Sequence, residues 1–277
     1  MVRILGAALA ALTLAQPAFA QDAQPLPDPA DNSDYWQLAA GVGLTPDYEG
    51  SSDYRLIPAA ALRARVSGIE ISTNATYLYV DVIPSGDKVD LLLGPIAGVR
   101  LNRTGKIKDD VVKLLPDRKT AIEVGGFAGV AFRGLTNPYD SLSVRLDVVK
   151  DVGEAHRSTV VTPNLIFATP LSRRFFASAS LSADFVGNRY ADYYFSISPT
   201  DALASGLAPY DADGGMKNIK IGLLGNYALS GDLTKGWSIF GIASLARLRG
   251  DFKRSPMVSD RGSATQWFAA SGLAYTF

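Results

Sequence analysis

Period-two alternation, held over segments of about ten to thirteen residues, constrains this chain more than any other feature. From Arg174 to Phe185, Phe175, Ala177, Ala179, Leu181, Ala183 and Phe185 share one face. Phe176, Ser178, Ser180, Ser182 and Asp184 share the other with Arg174. A helix would scatter both sets around its circumference; a strand separates them. The same test separates Leu142, Val144, Leu146 and Val148 from Ser143, Arg145 and Asp147. It separates Leu56, Ala60, Leu62, Ala64 and Val66 from Arg55, Arg63 and Arg65. Ordinary globular strands run to about 5 or 6 residues, whereas strands that cross a membrane need roughly 9 to 11.

The remaining features narrow the choice. Ile4 to Leu14 is an apolar run behind Arg3, followed by Ala18-Phe19-Ala20, which reads as a signal peptide over residues 1–20 cleaved after Ala20. Its run is about half of the roughly 20 apolar residues a membrane helix needs. Residues 21–34 are Pro- and Asp-rich and read as a disordered lead-in. The chain has 27 basic and 27 acidic residues, which gives no reason to expect a nucleic-acid partner. It has no cysteine, so an exported domain must be stabilised by packing or by a closed sheet. No later apolar run has the length of a membrane helix. If the chain spans a bilayer, a closed barrel is the remaining solution, because lipid satisfies no backbone N–H or C=O.

The expectation is therefore an all-β, antiparallel transmembrane β-barrel over residues 35–277, in the bacterial outer membrane, with short periplasmic turns and longer extracellular loops. Strands are expected near 35–43, 54–66, 69–80, 89–101, 120–133, 139–150, 157–169, 174–186, 190–198, 216–229, 236–249 and 265–277. That makes about 12, an even number as such barrels require. Ten is the alternative, if Asn188 opens a long loop and two other segments merge. Turn residues fall at Ser67-Gly68, Pro84-Ser85-Gly86-Asp87, Asn137-Pro138, Gly187-Asn188 and Ser230-Gly231-Asp232. A short helix is expected around Asp109–Leu115. Pro95, in mid-strand, implies a bulge or irregularity.

Outer-membrane lipid then faces the apolar rows, and the charges point inward, since Arg or Lys at the bilayer midplane costs about 2–4 kcal/mol. The expected lumen network is Arg55, Arg63, Arg65, Glu70, Asp90, Arg100, Glu123, Arg133, Arg145, Asp147, Arg174, Asp184 and Lys220. Both signs occur, with Arg in excess. An occluded, salt-bridged interior is expected, and an Arg-lined anion passage is the alternative. Aromatics near strand ends suggest girdles at the two interfaces, among them Trp36, Tyr77, Tyr79, Tyr190, Tyr193, Tyr194, Trp237 and Trp267. The chain closes on an alternating strand with Tyr275 and Phe277 on its outer face, which resembles the C-terminal signal read by the barrel-assembly machinery.

Catalytic signatures are missing. There is no G-x-S-x-G, H-E-x-x-H or phosphate loop. The single histidine, His156, reads as a loop residue among Asp151, Glu154 and Ser158. A hydrolase centred on it is the remote alternative. With one His and no Cys, neither a metal nor another cofactor is expected.

Four ordered stretches carry a family resemblance. The first is Pro46-Asp47-Tyr48-Glu49-Gly50-Ser51-Ser52-Asp53-Tyr54-Arg55 with Pro58. The second is Gly94-Pro95 with Arg100, Asp109-Asp110-Val111, and Glu123-Val124-Gly125-Gly126-Phe127. The third is Tyr190-x-x-Tyr193-Tyr194-Phe195, Ser205-Gly206-Leu207-x-x-Tyr210 and Gly214. The fourth is Arg247-Leu248-x-Gly250-Asp251-x-x-x-Ser255-Pro256 with Tyr275-Thr276-Phe277. In this order they resemble the MipA/OmpV family of outer-membrane proteins, the MltA-interacting protein family. Where that family usually shows Gly-Arg, this chain has Asn102-Arg103. The resemblance implies a non-enzymatic scaffold or interaction protein of the cell envelope, with murein hydrolase and synthase proteins as partners. A narrow channel for small anionic or zwitterionic solutes is the alternative. The Tyr48-Glu49-Gly50-Ser51 segment is read as a structural turn, against a rim loop that binds something.

Overall fold

The structure, a computed structural model, describes residues 33–86 and 88–277. The expected signal segment and nearly all of the lead-in lie outside the described residues. Twelve antiparallel strands close into one barrel: β1 Tyr35–Pro46, β2 Tyr54–Val66, β3 Ile69–Asn74, β4 Tyr77–Asp81, β5 Val89–Arg100 and β6 Ala121–Arg133. They continue as β7 Ser141–Asp151, β8 Thr159–Pro170, β9 Phe175–Val186, β10 Gly215–Ala228, β11 Gly236–Leu248 and β12 Thr265–Thr276. Each pairs with its chain neighbours, and β1 pairs with β12. Leu91, Leu223, Trp237 and Trp267 are exposed on the outer face, as hydrocarbon requires. The connections after β2, β4, β6, β8 and β10 lie at the end that carries the termini, and the long loops lie at the other. In outer-membrane barrels the end with both termini is periplasmic.

The count of twelve stands, but two expected segments differ in kind. Residues 69–80 are two strands, because the chain reverses at Ala75-Thr76 between the paired Asn74 and Tyr77. Ala75 takes φ +51° there without a glycine or proline to mark the turn. The reversal resets the parity, so Tyr77 and Tyr79 face the axis and leave the expected girdle. Residues 190–198 hold no barrel strand: Asn188–Phe195 is helix α1. It buries Tyr190, Ala191, Tyr194 and Phe195, two i, i+4 pairs on one helical face. A second helix, α2, spans Pro199–Ser205, with Ser198 accepting from the Asp201 N–H as its N-cap. The helical turn expected near 109–115 is a 3₁₀ turn at Val112–Leu114.

Local chemistry sets the tight turns. Ser67 and Gly68, at φ +53° and +81°, form the two-residue link from β2 to β3 that suits the twist of a hairpin. The ladder from β5 to β6 runs unbroken through Pro95, paired with Gly126, so the expected irregularity is absent on that side. It lies on the β4 side, where pairing covers only Tyr77 to Tyr79. Beside the proline, a Cβ on Gly94 would sit 1.7 Å from the Val80 carbonyl oxygen, so only glycine lets β4 come that close.

The β1–β12 seam is fastened above its ladder by two loops. Ser263 N–H donates to Gly50 O at 2.8 Å. Gly50 N–H donates to Gln266 Oε1 at 3.1 Å, and Gln266 Nε2 donates to Ser51 O at 3.0 Å.

Candidate functional site

Most of the buried apolar cluster of the molecule lies at the loop-end mouth of the barrel. Loops 47–53, 101–120, 187–214 and 249–264 fold over it and share one apolar core. Phe195 meets Phe252 edge-on with centroids 5.1 Å apart. Met257, Val258, Val112, Leu115 and Tyr48 are buried with them. Helices α3 (Gly250–Arg254) and α4 (Pro256–Ser259) carry Phe252, Met257 and Val258. Polar ties cross between loops: Ser255 Oγ donates to Phe195 O at 2.6 Å, and Tyr48 Oη donates to Met257 O at 3.0 Å. Arg261 pairs with Asp109 at 2.9 Å. Arg103, buried beneath this lid, donates to Pro116 O at 3.0 Å. Burial and the nearby Arg118 push its guanidinium down to about 10.

Under the lid lies a buried ionic network. Glu123 of β6 is wholly enclosed and has three partners. Arg100 donates to both of its oxygens, at 2.9 and 3.1 Å, and Tyr77 Oη donates to Oε2. His156 Nε2 lies 2.8 Å from Oε1. The Ser158 N–H donates to His156 Nδ1 at 3.2 Å, so Nε2 carries the imidazole proton and donates it to Glu123.

Glu49 makes the second node. Lys217 Nζ donates to its Oε1 and Tyr190 Oη to its Oε2, each at 2.8 Å. Its own N–H donates to Asn102 Oδ1 at 3.0 Å. Arg100 lies 3.6 Å away and links the two nodes. Burial raises the Glu49 carboxyl, but Lys217 and Arg100 lower it further, so it stays below the ordinary carboxylate value. Lys217 also pairs with Asp184 at 3.3 Å, and Asp184 accepts from Thr162 Oγ1 at 2.9 Å and Asn218 Nδ2 at 3.0 Å. The register of β10 against β9 slips between Met216 and Asn218, and this bulge aims Lys217 inward next to Asn218. The Tyr190 ring sits under Arg100 at 5.4 Å and Lys217 at 5.1 Å, with His156 edge-on at 4.9 Å. Such cation–π contacts strengthen where water is excluded.

The expected lumen residues divide into groups. Arg100, Glu123 and Asp184 belong to the network. Arg145 and Asp147 form their own pair at 2.7 Å, with Arg145 over the rings of Tyr79 and Phe127. Nearer the turn end, Glu70 pairs with Arg63 and Arg65, and Asp90 with Arg133. Lys220 faces the axis at mid-height, between Ser182 and Ala246 of its neighbours. Arg55 is at the loop-end rim, 4.0 Å from Asp47. Arg174 does not reach the lumen: β9 begins at Phe175, and Arg174 lies exposed in the turn at its foot. Tyr275 and Phe277 stay on the outer face, 4.8 Å apart, with Trp237 5.0 Å from Tyr275.

Sequence patterning does not reveal Lys217, Asn102 or the role of Glu49; His156 lies in a loop as expected, but the loop buries it. Tyr190, Tyr193 and Tyr194 leave the girdle for the plug. His156 is buried with both ring nitrogens engaged, so neither is free to activate a nucleophile. Among the described residues no group of three or more His, Cys, Asp or Glu side chains could hold a metal ion. The stretches that carry the family resemblance converge here: Tyr48 and Glu49, Arg100, Glu123, Tyr190 to Phe195, Ser255 and Pro256.

Fold and site together define an outer-membrane β-barrel whose own loops fold over its mouth. The family described as "MltA-interacting protein MipA" matches residues 38–277, and the chain belongs to it. Among solved structures it is similar to the NanC porin, at 10% identity and TM-score 0.48, over 86% of this chain and 98% of that one. An outer-membrane channel from Pseudomonas putida F1 shares 11% identity, with TM-score 0.43, over 93% of this chain and 98% of that one. An anion-selective porin from Comamonas acidovorans shares 9%, with TM-score 0.36, over 88% of this chain and 99% of that one. No curated protein sequence matches the chain.

Proposed function

We propose that this barrel is a non-enzymatic interaction protein of the envelope, closed to free solute flow, with a murein hydrolase as its partner. The observation that supports the reading is the packing at the mouth. Phe195 and Tyr190 are fully buried in it, and Glu123, Arg100, Glu49 and Lys217 are cross-linked beneath it. A barrel built to pass solutes would leave an unfilled polar path at this level. The partner class comes from the family description, "MltA-interacting protein". Export through a signal peptide cleaved after Ala20 belongs to the same reading.

The test has two arms. Purified, folded barrel in a planar bilayer is expected to stay silent across a range of voltages, and steady conductance would overturn closure. Immobilised barrel is expected to retain a lytic transglycosylase from solubilised envelope and to bind it again when purified, and absence of direct binding would overturn the partner. A narrow channel is the second reading, favoured by the lumen below the network. There Ala39, Ser72, Ser143, Ser178 and Gly222 are small and half-exposed around Arg63 and Lys220.

A further inference from the structure

The barrel wall is not of even height. Ten strands run from rim to rim, but β3 has 6 residues and β4 has 5. Strand β2 pairs with β3 only from Arg63 to Val66. Above that point the hairpin splays away. Leu62 N–H donates to Thr73 Oγ1, a side chain inserted where the next ladder partner would be. Leu62 therefore points its backbone groups toward β3, and with period two so do Ala60, Pro58, Leu56 and Tyr54.

This edge is partly blunted. Pro58 has no N–H to offer, and Tyr54 O accepts from Lys108 Nζ at 2.5 Å. Leu56 and Ala60 have no hydrogen-bond partner on that side among the described residues. Leu56 is 75% exposed, the most exposed large apolar residue of the strands. The open stretch from Leu56 to Ala60 is about 15 Å long at roughly 3.3 Å per residue. Loop 101–120 passes over it as a lintel, with Gly105 beside Arg55 and Lys108 bonded to Asp47.

An unpaired edge facing hydrocarbon is not tolerated in a bilayer, because each bare amide or carbonyl costs several kcal/mol. This stretch must therefore meet water. Behind it the lumen face of the same strand is apolar and slim: Ile57, Ala59 and the exposed Ala61. At its upper corner stand Arg55 and Lys108, the two cations beside Asp47. A hydrated slot, apolar within and cationic at its top, fits one ligand chemistry: a single hydrocarbon chain with an anionic head.

We propose that the gap between upper β2 and the tip of the β3–β4 hairpin is a lateral window, through which a single-chain anionic amphiphile passes between the outer leaflet and the barrel lumen. It is independent of whether the lumen conducts ions.

The absence of cysteine makes single-cysteine labelling clean. Ala60→Cys on the edge, Ala61→Cys on its lumen side, Leu223→Cys on the lipid face of the far wall and Ser180→Cys on the far lumen wall are made in full-length barrel. Each is reconstituted in phospholipid vesicles, with folding checked by heat-modifiable migration. A membrane-impermeant maleimide is expected to label Ala60→Cys at least tenfold faster than Leu223→Cys. A lipid-dissolved dodecyl maleimide is expected to label Ala61→Cys at least tenfold faster than Ser180→Cys. Dodecanoate below its micelle concentration is expected to slow the second reaction several-fold, and dodecylamine is not. Equal rates at Ala60→Cys and Leu223→Cys mean a dry or occupied edge and overturn the window. Equal rates at Ala61→Cys and Ser180→Cys overturn passage into the lumen. Equal protection by both amphiphiles overturns the anionic head.

Discussion

The two halves of the interior differ in how far most of their charges meet water, although Asp90 at the turn end is buried and Glu49 at the loop end is 28% exposed. At the turn end, Arg63, Glu70 and Arg133 keep about half to a quarter of their side chains in water. At the loop end, Glu123, His156 and Lys217 keep essentially none. Alternation along each strand decides which residues face the axis. The loops decide whether those residues are solvated. Ion pairs left in water contribute little, whereas a buried carboxylate deprived of its partners, or partners deprived of it, is costly.

Four substitutions or conditions test that contrast, in falling order of effect. Glu123→Ala leaves Arg100, Tyr77 and His156 without their acceptor, and a loss of about 3–5 kcal/mol is expected. Thermal unfolding of the detergent-solubilised barrel reads it, and a loss below 1 kcal/mol would erase the distinction between the halves. Phe195→Ala removes a ring from the shared core of the lid, at about 3 kcal/mol. Its signature is local: hydrogen exchange rises over 187–214 and 249–264 while the β1–β2 ladder stays protected.

Acid is expected to act next. Glu49 titrates below its ordinary value of 4.5, so its clamp on Lys217 is fully present above that pH and fades as pH falls through the lowered value. Exchange over 187–214, corrected for intrinsic rate, should quicken below about pH 4.5, and Glu49→Gln should remove that acid limb. Glu70→Ala, in the wet half, should cost less than about 1 kcal/mol. A larger loss would place the turn-end charges in the same class as those above.

How much of this was legible follows from the kind of signal each part emits. Alternation is a property of single strands, so the barrel, its outer face and most inward charges could be read directly. The Ala75-Thr76 reversal carries no glycine or proline, and the alternation of Ile69 and Ile71 with Tyr77 and Tyr79 runs straight through it. The spacing of Tyr190 with Tyr194 and of Ala191 with Phe195 is helical, but an even strand count favoured reading that segment as a strand. These two differences offset each other, which is why twelve survives. The network was the least legible. Glu49, Asn102, His156 and Tyr190 come from four loops, and nothing in their local sequence announces that they meet. Lys217 was hidden for another reason: a bulge breaks the parity that would have assigned its face.

The contacts that fasten the seam belong to loops that also form the lid. Loop 47–53 follows the first strand and loop 249–264 precedes the last, and they meet through Gly50, Ser51, Ser263 and Gln266. Tyr48 and Met257, from the same two loops, join the plug. Pairing the first strand with the last therefore also brings two of the four lid loops together. A barrel without its final hairpin would lack both this clasp and the part of the cover that loop 249–264 supplies.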